Sequence, residues 1–370
     1  MEIIAREAKA NGAVTFARFM ELALYHPEHG YYERGPGQVG KQGDFYTSVS
    51  VGPLFGELLA FQFAQWLAQI SDNVPRNEKL RIVEAGAHDG RLAKDILGAM
   101  RERRPEIFER TEYWIFEPSQ RRQAWQKESL IEYSERIRWA KGPFRQASHE
   151  VAGIIFANEL LDAFPARRLG WDRRGQVWFE WGVGMASDRL RWLRLPIKDP
   201  TDGTGGVPNA LRALPVELLD VLPDGFSTES CPAAEAWWSG AARTLKSGWL
   251  LTLDYGLQAG EFLAPSLAEG TVRAFRDHHQ VKDLLANPGE QDLTADVNFS
   301  ALQAAGEAAG LVTESFGSQA QFLTSIFHQT LADEAGFPPW TPARVRQFQT
   351  LTHPEHLGRA FRVMVQTRGK

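Results

Sequence analysis

RIVEAGAHDGRLAKDIL, residues 81–97, decides the fold. Ile82 and Val83 give a short apolar run, Gly86 and Gly90 bracket a turn, and Leu92, Ala93, Ile96 and Leu97 recur at helical spacing. The stretch therefore reads as a strand, a glycine turn and a helix. Small residues at such a turn let backbone come close to a ligand, and the first turn of the helix offers free N–H groups. Its pattern is E-x-G-x-x-x-G, with His88 standing where a dinucleotide fold has its middle glycine, which argues against a pyrophosphate. Glu84 at the strand end would repel phosphate and accept bonds from a cationic or hydroxylated ligand, S-adenosylmethionine (SAM) being one. Two glycines in a βα turn are also explained by packing alone.

The chain has 370 residues, 43% of them hydrophobic, enough for one large elaborated domain or two smaller ones. A net charge of −5 and a pI near 6.0 argue against a general nucleic-acid binder. Cys231 is the single cysteine, which excludes an intrachain disulfide and a cysteine-based zinc site and suggests an intracellular, cytoplasmic protein. No apolar run reaches the length of a membrane span. The opening MEIIAREAKANGAVTF lacks a secretory or transit pattern and reads as a first helix.

Taken in order, helical spacing covers Ile3–Leu24 with a break at Asn11 and Gly12, and a second helix starts near Thr15. Tyr25–Ser50 is rich in glycine and aromatics and reads as an ordered loop or lid; a helix follows Pro53, burying Leu54, Leu58, Phe61 and Trp66. Glu112–Phe116 is the second strand and ends at Glu117, placed to accept from two ribose hydroxyls, or else sitting in the first turn of the next helix. Arg136–Ala140 and Gly153–Ala157 are the third and fourth strands, the latter a continuous apolar run suited to a parallel sheet covered on both faces.

The fourth strand runs into Asn158-Glu159-Leu160-Leu161-Asp162-Ala163-Phe164-Pro165, polar groups at the carboxyl edge where open α/β sheets bind ligands. Glu159 and Asp162 together could hold a guanidinium by charge-assisted bonds. Alternatively Asp162 caps a helix and Glu159 pairs with Arg167 or Arg168. Arg167–Leu195 alternates like an antiparallel excursion, residues 200–207 form a connector, and Gly248–Leu253 is a fifth strand ending in Asp254-Tyr255-Gly256. Gly270–Phe299 lacks periodicity and reads as a polar loop. His278, His279, Glu290, Asp292 and Asp296 lie in it without a ligand spacing such as H-E-x-x-H, so no metal is expected. A helix at Ser300–Ala309, a strand at Leu311–Phe316, a helix at Gln319–Ala335 and a strand at Arg359–Thr367 complete the pattern.

Five blocks in this order, GYY…GDFYTS…LFGELL, the glycine turn, NELLDAFP, LDYG and GTVRAFRDHH…NPGEQDLTADVNF, resemble the MidA-like SAM-dependent methyltransferases over about Phe16–Val365. The resemblance implies an α/β class I methyltransferase (Rossmann-like) sheet with an N-terminal helical and lid extension over residues 1–75. The core would then run over residues 76–370, with insertions at about 167–210 and 257–300. It implies SAM bound against Gly43, Asp44 and Thr47, against Glu84, Gly86, Ala87 and His88, and against Glu117, Asn158 and Glu159. It also implies methyl transfer to a protein arginine, as in the mitochondrial members that act on a respiratory complex I subunit, with Glu159 and Asp162 gripping the guanidinium and His278 orienting it or taking a proton. The family usually reads G-P-G-R-G where this chain has Gly86-Ala87-His88-Asp89-Gly90, and a histidine and an aspartate where it has Asp296 and Asn298. A SAM-binding assembly factor without catalysis and a small-molecule methyltransferase are the alternatives. A protein substrate, no nucleic acid and no membrane span are expected, with a homodimer left open.

Overall fold

The computed structural model describes residues 2–35, 47–140, 150–197, 206–277, 279–355 and 357–369. The chain divides into two compact units, each made of three segments. One comprises residues 35–161, 235–256 and 302–370; the other residues 1–34, 162–234 and 257–301.

The first unit is built on seven strands: β1 (Leu80–Ala85), β2 (Thr111–Phe116), β3 (Ile137–Ala140), β4 (Val151–Asn158), β5 (Leu245–Leu257), β6 (Val312–Ser318) and β7 (Phe361–Arg368). Their order is β6-β7-β5-β4-β1-β2-β3. The five strands β5 to β3 are parallel, and β7 lies antiparallel between β5 and β6. Every residue of β4 is buried, which is why its sequence is apolar without alternation. Within it Gly153 adopts φ +148°, and a Cβ there would sit 2.0 Å from the Arg81 carbonyl oxygen of β1. Backbone cannot yield as a side-chain tip does, so Gly153→Ala is expected to destabilise by about 3 kcal/mol or more. A urea unfolding curve measures it.

The helix α1 (Leu54–Ser71) is apolar on nearly all sides and correspondingly buried, including Leu54, Leu58, Phe61 and Trp66 as the sequence suggests. Trp66 stacks on Trp249 of β5 with ring centroids 5.1 Å apart, and Phe63 meets Phe156 of β4 edge-on at 5.1 Å. Helices α2 (Arg91–Arg103) and α3 (Gln120–Ser129) follow β1 and β2. Two helices that the sequence does not reveal, Pro105–Arg110 and Pro342–Thr352, each begin at a proline in the first helical position. Among the described residues no helix is long and apolar enough to cross a membrane.

The second unit packs the helices Glu2–Asn11 and Phe16–Tyr25, the latter capped by the Thr15 hydroxyl, around Phe16, Phe19, Met20, Tyr31 and Val183. Its larger sheet joins Arg167–Asp172, Val177–Ala186, Arg189–Pro196 and Ser227–Ser230, the antiparallel excursion expected. The Gly270–Phe299 segment differs from its reading as a polar loop. It contains an antiparallel sheet of Arg273–Arg276, His279–Val281 and Asp292–Thr294, strands too short for alternation to register as a period.

Candidate functional site

The carboxyl ends of β1, β2, β4 and β5 lie side by side at one edge of the sheet. The register Ala85↔Phe116, Ala85↔Ala157 and Leu253↔Asn158 brings the residues after each strand level with one another. At the end of β1 the chain turns through Gly86 (φ +73°), His88 (φ +43°) and Gly90 (φ +83°), the left-handed conformation at which a histidine is uncommon. The His88 ring lies toward Trp125 of α3, centroids 6.4 Å apart, with Nδ1 3.9 Å from Asp89, and Gln126 Nε2 donates to the His88 carbonyl at 3.0 Å. A Cβ on Gly86 would meet Leu160 Cδ1 at 2.7 Å. This glycine therefore serves the packing of the β1 turn against the β4 turn. Ala87 is buried beside it.

Glu84 is buried within β1, where Tyr113 of β2 donates its hydroxyl to Oε2 at 2.7 Å. Burial pushes the Glu84 carboxyl up to about 8, against the pull of the tyrosine bond, with the Asp89 charge adding to the rise. Glu117, at the end of β2, combines the two readings of the sequence. It stands at the strand edge, and it also serves α3. Its Oε1 accepts from Ser119 N–H at 2.9 Å and meets Arg122 at 2.9 Å, while Gln126 Nε2 reaches Oε2 at only 3.4 Å. That second oxygen retains acceptor capacity of the kind a pair of ribose hydroxyls needs.

The end of β4 is the most constrained point of the edge. Glu159 takes φ +50°, a conformation that costs a non-glycine residue about 1–2 kcal/mol. Its N–H donates to Leu253 O at 2.9 Å, and Oε1 accepts from Ser48 N–H at 3.0 Å and from Asn158 Nδ2 at 3.1 Å. Oε2 is buried without a hydrogen-bond partner, and so is Oδ1 of Asn158. Burial raises the Glu159 carboxyl to about 8; the Ser48 and Asn158 bonds oppose the rise and the Asp254 charge adds to it. Neighbouring residues that sequence reasoning missed hold this arrangement. Ser48 begins a short helix whose capping box joins Thr47 and Ser50, and its hydroxyl bonds to Gln319 at 3.0 Å. Asp254, fully buried in β5, accepts from the N–H groups of Leu160 at 3.2 Å and Leu161 at 2.8 Å. Both belong to blocks that carry the family resemblance, TS and LDYG, which was the signal that could have found them.

Other expectations fare differently. No helix follows Asp162, so it caps none, and Arg167 and Arg168 engage Glu180 at 2.8 Å and Glu229 at 3.7 Å. Asp162 opens the second unit, where its backbone carbonyl accepts from Ala295 N–H at 2.8 Å. Gly43, Asp44 and His278 lie outside the described residues. Asp296 pairs with Arg273 at 2.6 Å, and Asn298 Oδ1 accepts from Ala301 N–H at 3.1 Å.

The partnerless Oδ1 of Asn158 and the spare oxygen of Glu117 suit a ligand that carries donors and vicinal hydroxyls, as SAM does, and the partnerless Oε2 of Glu159 beside them leaves an acceptor for a second, cationic group. Comparison with known proteins agrees. Residues 58–317 match the model of a family described as "Putative S-adenosyl-L-methionine-dependent methyltransferase". Protein arginine methyltransferase NDUFAF7, mitochondrial, of Rattus norvegicus is 28% identical over 95% of this chain and 80% of its own length, and the Homo sapiens protein of that name is 26% identical over the same shares. A Burkholderia thailandensis crystal structure with bound S-adenosyl-homocysteine superposes with a TM-score of 0.83 at 27% identity, covering 99% of this chain and 91% of that one. The cytoplasmic location expected from the sequence is overturned here, since these curated relatives are mitochondrial by name; a low cysteine count does not separate one reducing compartment from another. The match over most of the chain, on a sheet whose carboxyl edge carries these acceptors, makes the protein a member of that family, a SAM-dependent methyltransferase.

Proposed function

We propose that the methyl acceptor is an arginine side chain of a protein, and that Glu159 holds it. The observation that carries this reading is the buried, partnerless Oε2 of Glu159 at the carboxyl edge of the sheet. A guanidinium offers N–H donors and a charge that such an oxygen lacks, and relatives named protein arginine methyltransferases support the choice of acceptor. Bound SAM supplies an electrophilic methyl carbon on a sulfonium. Around it we place Thr47, Gly86, Ala87, His88, Glu117 and Asn158.

The chain's own work is alignment and proton management. Ser48 and Asn158 fix Oε1, so the carboxylate cannot turn away while Oε2 accepts from the guanidinium. As the new N–C bond forms and the C–S bond breaks, the attacking nitrogen must lose a proton. Glu159 takes it: a carboxyl raised to about 8 by burial is basic enough to hold a proton and weak enough to release it.

The test is incubation of the purified protein with methyl-tritiated SAM and a bacterial lysate, followed by acid hydrolysis of the labelled band. Tritiated methylarginine is expected. Label on another amino acid or on small molecules overturns the choice of acceptor, and SAM binding with no transfer favours a binding-only role.

A further inference from the structure

We infer that Asp254 is a positioning residue for methyl transfer, setting Glu159 in its left-handed conformation through the two amides that follow it. The inference rests on the proposed role of Glu159. Leu253 pairs with Asn158 across β5 and β4, so Asp254 lies one residue farther out, level with Glu159 on the neighbouring strand. Glu159 is pinned from two directions by β5. Its own N–H reaches Leu253 O at 2.9 Å, and the next two N–H groups, those of Leu160 and Leu161, converge on Asp254 Oδ2 at 3.2 and 2.8 Å. Asp254 Oδ1 accepts from Tyr255 N–H at 2.8 Å, so the carboxylate is itself held.

An aspartate with no exposed surface is an uncommon choice within a strand; burying a carboxylate is unfavourable unless its bonds are needed. Here those bonds go to the backbone of a turn that holds a non-glycine residue at φ +50°. Strained residues persist where their surroundings over-determine them, and Asp254 supplies that constraint. Without it residue 159 relaxes toward ordinary backbone, and Oε2 swings off the acceptor nitrogen. Leu160, whose side chain fills the space beside Gly86, would move with it.

The test is a double-mutant cycle read as tritium transfer from SAM into the lysate acceptor. Asp254→Asn is expected to lower transfer roughly tenfold, the scale of misplacing a catalytic group by a fraction of an ångström. The loss should persist as the lysate is concentrated, because a displaced Oε2 takes the proton poorly even when the acceptor is bound, and a loss that vanishes at high lysate concentration overturns the inference. On a Glu159→Gln background the same substitution should change nothing further. Multiplying losses in the double variant mean that Asp254 acts independently of Glu159 and overturn the inference, as does full activity of Asp254→Asn. Full activity of Glu159→Gln, or no transfer by the native protein, overturns the role of Glu159 and this inference together. If Asp254→Asn does not fold, Asp254→Glu keeps the carboxylate and displaces it by one methylene. The same non-additive loss is expected of it, and unchanged transfer counts against the inference.

Discussion

Glu159→Gln is expected to reduce methyl transfer to arginine by roughly a hundredfold or more, the range associated with loss of a positioned proton acceptor. The amide keeps the size of the carboxyl, and its oxygen can still accept from Ser48 N–H. What it loses is the negative charge opposite the guanidinium and the capacity to take a proton. Folding should not suffer. Burial already disfavours the ionised form of Glu159, so a neutral side chain relieves that penalty, and thermal unfolding at pH 8 or above should show the variant at least as stable as the native chain. The native enzyme carries a further signature. Below about pH 8 most of the Glu159 carboxyl is protonated and its free oxygen is a poor acceptor. Transfer at a fixed acceptor concentration should therefore rise as pH increases toward 8 and level off beyond it. Asp254, the charged group facing Glu159 from β5, helps to set where that rise falls, and the Gln variant should lack it.

Glu84→Gln is expected to stabilise the protein at alkaline pH and leave it almost unchanged in acid. The folded-state pKa of Glu84 is raised from 4.5 to about 8, so the native fold binds a proton the unfolded chain gives up. That contribution is complete below about pH 4.5 and is lost as pH rises through about 8, stability falling by about 1.4 kcal/mol for each pH unit between the two values. Glutamine is neutral throughout, and its carbonyl oxygen can accept the Tyr113 hydroxyl. Melting temperatures of the two proteins should thus converge near pH 4, separate progressively up to about pH 8 and stay apart by a constant interval above it, the variant higher. Parallel curves across that range would show that Glu84 is not protonated in the native state.

The strand, turn and helix at residues 81–97 were legible because a short apolar run gives way, across two glycines, to apolar residues at helical spacing, and β4 because a strand covered on both faces is apolar throughout. Glu117 and Glu159 were legible as acids directly after strands. Their partners were not. Arg122 reaches Glu117 from within α3, Ser48 reaches Glu159 and Asp254 reaches the backbone of Leu160 and Leu161 beside it from positions distant in the chain, contacts that only the folded arrangement around β4 and β5 creates. The pairing of Leu160 with Gly86 is of the same kind: the glycine was visible, and the side chain occupying its missing Cβ was not. Pro342–Thr352 escaped notice because only Leu351 is buried in it, which leaves no apolar stripe to read.

The place of β7 has a consequence for biosynthesis. Translation delivers β5 and β6 well before β7, yet in the finished sheet those two strands do not touch, because β7 separates them. Until Phe361–Arg368 is made, a nascent chain holds two strand edges open toward each other, one of them Leu245–Leu257, in which residues 248–254 are all buried in the folded protein. Such edges invite pairing with other chains. A message truncated shortly before Phe361 would therefore leave the sheet that carries Glu159 open between β5 and β6, and an aggregating protein is expected in place of a slightly shorter enzyme.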